Sequence, residues 1–251
     1  MAVNVFILGR PGSGKSTAAR RIANLVQPEG WSPVRISDYD ILHGMFQREK
    51  YSLNDEPKNF RPTQHNGFDV INFSVLDTAL IEVQRKALKH IEEYASHAQK
   101  LILIEFARDD YGKALHLFNP AFLRDAYFLF LKADIDTCIK RVHERIAHPI
   151  TVDDHFVSDE IIRCYYYEES KPYMTFSPMV DYHVNEMRVT IIDNMGTRES
   201  FNDQLARFVD LILKQKPNAQ RETSPLQNTP DLSPVPATPI YAGMSKVEEV
   251  K

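Results

Sequence analysis

Two cysteines, Cys138 and Cys164, are too few and too far apart for a disulfide framework or a zinc site, so reduced thiols are expected. An excess of positive charge is missing too. With 30 basic against 34 acidic residues and a formal net charge of -4, the chain has no global field to hold a nucleic-acid backbone or an anionic membrane. Any anion it binds must be held locally. Long hydrophobic runs are likewise absent: Val5–Leu8 and Tyr127–Leu131 fall well short of the ~18 residues of a membrane span. The first residues run straight into a strand pattern with no secretory leader, which makes the cytoplasm the expected compartment. What is present is ordinary globular composition, 43% hydrophobic and 25% charged over 251 residues, enough for a sizeable core.

Short apolar runs recur at Val3–Leu8, Val34–Ile36, Leu101–Phe106, Ala126–Leu131 and Val189–Ile192. They lack clean apolar-polar alternation and read as strands buried on both faces. Helical patterns separate them. Phe73, Leu76, Leu80, Val83, Ala87, Ile91 and Tyr94 form one stripe at spacings of three and four. Ile135, Ile139, Val142 and Ile146 form a second. A third helix is expected over Phe201–Leu213, with Ser200 as its cap and Asp203 three residues on. Strands alternating with helices predict an α/β fold with right-handed crossovers and a parallel sheet. No internal repeat is visible. From Lys216 the composition turns to Pro, Ser, Thr, Asn and Gln, too poor in apolar surface to offset ordering entropy, so residues 217–251 are expected to be a disordered tail behind a domain spanning 1–216.

One motif carries strong chemistry. Gly9-Arg10-Pro11-Gly12-Ser13-Gly14-Lys15-Ser16-Thr17 follows a strand and opens a helix, the context in which free N–H groups and the helix dipole hold phosphate. Gly12 and Gly14 let the backbone approach the anion. Lys15 is placed to neutralise β and γ oxygens, and the Ser16 hydroxyl to ligate Mg²⁺.

These residues resemble the P-loop kinase superfamily that includes adenylate kinase, shikimate kinase, deoxynucleoside kinases and zeta-toxin-like kinases, and Ile7–Thr17 looks like the adenylate-kinase loop. The resemblance runs as a pattern over residues 1–213. It implies a P-loop NTPase three-layer sandwich whose five-stranded parallel sheet has the order 2-3-1-4-5, with helices on both faces and a lid. It also implies an ATP- and Mg²⁺-dependent phosphotransferase that moves the γ-phosphate to a small-molecule acceptor. The adenylate-kinase Gly-Phe-Pro-Arg segment and the glycine-rich shikimate motif are both missing. The acceptor, a nucleoside, nucleotide or other metabolite, stays unnamed, and so does the oligomeric state.

Further candidates sit at strand ends, where ligands of open α/β sheets collect. Ser37-Asp38-Tyr39-Asp40 follows the second strand, and its spacing is similar to the Asp-x-Asp of shikimate kinases. That likeness implies Asp38 on the metal side and Asp40 as proton acceptor, the alternative being a cap for a helix over Ile41–Gln47. Glu105 at the tip of the third strand suits the Walker B role, giving a metal set of Ser16, Asp38 and Glu105. Arg108 suits an anion, although the Glu-Arg pair of deoxynucleoside kinases is adjacent and here two residues intervene. Arg141 and Arg145 share a helix face ahead of an expected lid over 147–157, where the resemblance implies arginines closing over the transferring phosphate. Residues 51–69, with Arg61, His65 and Asp69, are the expected acceptor-binding insertion. The turn Asp193–Thr197 would offer backbone to adenine, and His143, His148 and His155 are expected on the surface.

Three other readings compete. A nucleotide switch would use Asp109-x-x-Gly112 and Lys132-x-Asp134, but Leu131 stands where a guanine reader needs Asn or Thr. A polynucleotide 5′-kinase would need a basic track, which the acidic balance opposes. A non-enzymatic nucleotide-dependent interaction module would use the proline-rich tail as its partner segment.

Overall fold

A computed structural model describes residues 2–52, 58–93, 99–149, 154–167 and 178–214 of the chain. Five strands form one all-parallel sheet: β1 (Ala2–Leu8), β2 (Trp31–Ser37), β5 (Gln99–Phe106), β6 (Tyr127–Lys132) and β7 (Val189–Asp193). Their order is β2-β5-β1-β6-β7, which is the expected 2-3-1-4-5 among the five. A two-stranded antiparallel hairpin, β3 (Phe60–Pro62) and β4 (Phe68–Val70), stands apart from it.

Period-two geometry explains why the strands read as continuous apolar runs. Phe6, Leu8, Ile102, Ile104 and Phe128 point to one face, while Val5, Ile7, Leu101, Leu103 and Leu129 point to the other, and both faces are covered. The first face packs against α2 (Asp38–Lys50), α3 (Ser74–Glu93), α4 (Tyr111–His116) and α5 (Pro120–Arg124), where Phe6 stacks on Phe128 at 5.1 Å. The second packs against α1 (Lys15–Val26) and the helix Arg198–Leu213. On α3 the buried residues are Leu76, Ala79, Leu80, Val83 and Ala87, the middle of the expected stripe. Phe73 lies before the helix and is 40% exposed, and Tyr94 lies outside the described residues.

Helix starts differ from expectation where a side chain other than the expected one reaches a free N–H. Ser37 Oγ accepts from Tyr39 N at 3.2 Å, so α2 begins at Asp38 rather than Ile41, and Asp40 is not its cap. Thr197 Oγ1 accepts from Ser200 N at 3.2 Å, moving that cap three residues upstream of Ser200. Asp134 caps α6 (Ile135–Ala147) by accepting from Thr137 N at 2.7 Å. The short helix α7 (Asp159–Cys164) follows, and the last helix, Arg198–Leu213, is α8.

The chain divides into a unit spanning Met1–Pro217 and another spanning Asn218–Lys251. The tail expected over 217–251 lies outside the described residues, as do 53–57 of the expected insertion and 150–153 of the expected lid. Among the described residues, no helix is long and apolar enough to cross a membrane.

Candidate active site

The loop between β1 and α1 has the backbone that its glycines permit. Gly12 and Gly14 have φ of 82° and 101°, and Gly14 is the residue from which α1 begins. A Cβ on Gly12 would meet the Cys138 carbonyl oxygen at 2.3 Å, so a side chain is excluded there by backbone as well as by torsion. Three braces fix the loop. Tyr111 Oη accepts from Gly9 N at 2.8 Å, and Asn194 Nδ2 donates to Ser13 O at 2.8 Å. Arg10 donates Nε to Tyr166 O at 2.7 Å, Nη1 to Ala133 O at 3.1 Å and Nη2 to Tyr167 O at 2.9 Å. Arg10 therefore acts as a strut behind the loop, and Gly9 and Ser13 also lie behind the cleft wall, while Pro11, Gly12, Gly14, Lys15, Ser16 and Thr17 line it.

That cleft has a volume of about 480 Å³. At its loop end, Lys15 Nζ donates to Gly9 O at 2.8 Å and Arg10 O at 2.9 Å. Burial lowers the Lys15 pKa, against the opposing pull of Glu105 and Asp38. Parallel register then assembles the acids. Ser37 is paired with Glu105 across β2 and β5, so Asp38, the next residue, emerges beside Glu105 at the carboxyl edge of the sheet. Glu105 Oε1 accepts from Ser16 Oγ at 3.2 Å and from Arg35 Nε at 3.0 Å, with Arg35 Nη2 also on the same oxygen. Glu105 Oε2 is buried and has no hydrogen-bond partner. Asp38 Oδ2 accepts from Arg108 Nη1 at 3.1 Å. Burial raises the Asp38 pKa, with Arg108 and then Lys15 opposing the rise.

The expected site residues do not all converge. Lys15, Ser16, Asp38, Glu105, Arg141 and Arg145 share the cleft. Asp40 does not: it is exposed on the outer side of the first turn of α2, two positions and thus about 200° around the helix from Asp38. Arg108 lies beneath the cleft rather than in it, buried and donating to Asp38, Ala107 O and Leu76 O. It serves Asp38 instead of meeting an anion directly. Arg141 Nη2 donates to Asn194 O at 2.7 Å, while Arg145 donates to His155 O at 3.0 and 2.7 Å through Nε and Nη2. Asp69 lines the far wall; it accepts from Arg61 at 3.0 Å and from Ser158 N at 3.2 Å, which ties the β3–β4 hairpin to the start of α7. Arg61 and His65 do not line the cleft. His155 does, half-buried and stacked on Tyr39 with centroids 3.5 Å apart, whereas His143 is half exposed against Asp159 at 2.8 Å.

No family model matches the chain. An adenylate kinase from Thermococcus gammatolerans is 28% identical over 149 residues, 59% of this chain and 58% of that protein. The match thus spans little more than half the length of that curated relative. Among solved structures, the Mycobacterium tuberculosis APS kinase in complex with AMPPNP and APS aligns over 84% of this chain and 98% of its own, at 15% identity and a TM-score of 0.50. The chain has the fold of the P-loop kinases. A gluconokinase from Sinorhizobium meliloti aligns more loosely, over 84% of this chain and 95% of its own, at 16% identity and a TM-score of 0.43.

Within this P-loop kinase fold, sequence reading missed Arg35, Tyr39, Tyr111 and the Asn194 side chain. Arg35 carried a signal, since a lone cation between Val34 and Ile36 in a strand read as buried demands a nearby acid. Tyr111 and Asn194 carried none: each reaches the loop across more than 100 residues of sequence.

Proposed function

We propose that the protein transfers the γ-phosphate of ATP to a hydroxyl group of a small molecule. The observation that carries this reading is that Asp38, buried and backed by Arg108, faces the same cleft as the phosphate loop. A carboxylate placed there can accept the proton of an attacking hydroxyl, a group that a bare nucleotide binder does not need. The adenylate kinase likeness and the kinase fold point to the same reaction class.

In this reading the loop amides and Lys15 hold the β- and γ-phosphates, with Lys15 exchanging the Gly9 and Arg10 carbonyls for phosphate oxygens. The residues present fit Mg²⁺. Ser16 Oγ and the unpartnered Glu105 Oε2 are oxygen donors of the kind a hard cation takes, and Asp38 is close by. Among the described residues no group of three or more His, Cys, Asp or Glu could hold a metal ion unaided, so triphosphate oxygens would complete the set. The bound ion would supply neutralisation of charge on the transferring group. Asp38 takes the acceptor proton as the acceptor oxygen forms its bond to the γ-phosphorus; the bond from that phosphorus to the β–γ bridging oxygen breaks, and ADP leaves. Arg141 and Arg145, on the lid side, meet the charge that spreads over the γ oxygens.

A screen of metabolites with ATP and Mg²⁺, reading ADP release that depends on the added compound, tests the proposal. ATP binding with steady hydrolysis that no compound stimulates would refute it in favour of an ATPase or switch.

A further inference from the structure

The two ends of the cleft differ in charge. Among the described residues that line it, Lys and Arg occur only on α1 and α6: Lys15, Arg20, Arg141 and Arg145. Lys15 belongs to the phosphate loop, and Arg141 is held by Asn194, which itself holds Ser13. These cations stand where a triphosphate would lie. The opposite wall comes from α2, β4, the start of α3, and α7. It presents apolar and aromatic groups, Tyr39, Leu42, Phe68, Val70, Phe73 and Leu76. Its charged members are both carboxylates, Asp38 and Asp69.

The arginines on that side are committed elsewhere. Arg61 is spent on Asp69 and on Glu160 at 3.2 Å, outside the cleft. Arg108 is buried under the floor on Asp38 and the Leu76 carbonyl. An anionic acceptor would lose hydration beside Asp38 and Asp69 and gain no cation from the described residues of α2, β4 and the start of α3, Arg145 on α6 being bonded to the His155 carbonyl, a penalty that neither apolar contact nor a single N–H recovers. A body without negative charge pays nothing of the kind and buries apolar area against the aromatic wall.

We infer that the acceptor is a hydroxyl compound with an apolar or aromatic body and no anionic group, excluding hydroxy acids, sulfate esters and phosphate monoesters as preferred substrates. The inference rests on the kinase reading above and narrows it.

Matched pairs differing only in an anionic group test it on the full chain with ATP and Mg²⁺: a nucleoside against its 5′-monophosphate, an aromatic alcohol against the corresponding hydroxy acid, and an amino alcohol against the corresponding hydroxy amino acid. Thermal shift with ATP first establishes nucleotide binding, and kcat/KM for ADP release is then measured for each member. At least about a tenfold preference for the uncharged or cationic member of a pair is expected. Equal or better turnover of the anionic members overturns the inference while leaving the kinase reading intact. No turnover of any pair despite ATP binding also overturns it, and absence of ATP binding overturns the kinase reading beneath it.

Discussion

Arg35 and Glu105 sit on neighbouring strands, β2 and β5, and the guanidinium covers one carboxylate oxygen of Glu105 while leaving the other bare. The pair fixes which oxygen points toward Ser16 and the phosphate loop. Because Glu105 is 3% exposed and the Arg35 side chain 27%, the interaction is screened only in part. Thermal or denaturant unfolding of Arg35→Met, Glu105→Gln and the double variant should show a coupling of about 1–3 kcal/mol. Losses that simply add would mean that the two side chains are neighbours without being partners.

Lys15→Ala should sharply weaken ATP binding and erase the rise in melting temperature produced by ATP with Mg²⁺, because only native-state binding supplies that stabilisation. The unliganded protein should lose only about 1 kcal/mol of stability, the usual worth of the partly buried hydrogen bonds the lysine makes to the Gly9 and Arg10 carbonyls. A thermal shift of unchanged size would remove the phosphate role from the loop.

Asp38→Asn and Asp40→Asn should part company. The first keeps the shape of the side chain but removes the proton acceptor, and transfer should slow by roughly 10² to 10⁴ with ATP binding retained. The second changes an exposed residue outside the cleft and should leave turnover within about twofold. Turnover and ATP affinity of both variants decide it; a fully active Asp38→Asn protein would strip that residue of its role.

The pH profile follows from the surroundings of Asp38. Burial raises its pKa and Arg108 opposes the rise, so the ionised form needed for transfer is lost, as pH falls, at a higher pH than for a free aspartate. Removing the opposing charge with Arg108→Gln should raise the pKa further and move the acid limb of kcat to still higher pH. An acid limb that stays in place would show that Asp38 is not the group titrating.

Much of this protein was legible from sequence because it rests on local chemistry. Glycines at the positive-φ positions 12 and 14, a strand before them and an amphipathic helix after them define the phosphate loop through backbone torsion and hydrogen bonding within a few residues. The parallel sheet is equally local in origin: strands buried on both faces need helical crossovers, and the order seen is the one the loop's resemblance implied. What only tertiary structure decided is direction and distance. Asp38 and Asp40 are chemically alike and two residues apart, yet the Ser37 cap starts the helix early and turns one toward the cleft and the other toward water. Arg108 reads as an anion binder by type, but it is buried and its guanidinium is taken up by Asp38 and the Ala107 and Leu76 carbonyls. His155 has no helical metal partner in sequence and still reaches the cleft, because its ring meets Tyr39 and its carbonyl meets Arg145. Such contacts depend on how packed elements meet, and no periodicity within one element encodes them.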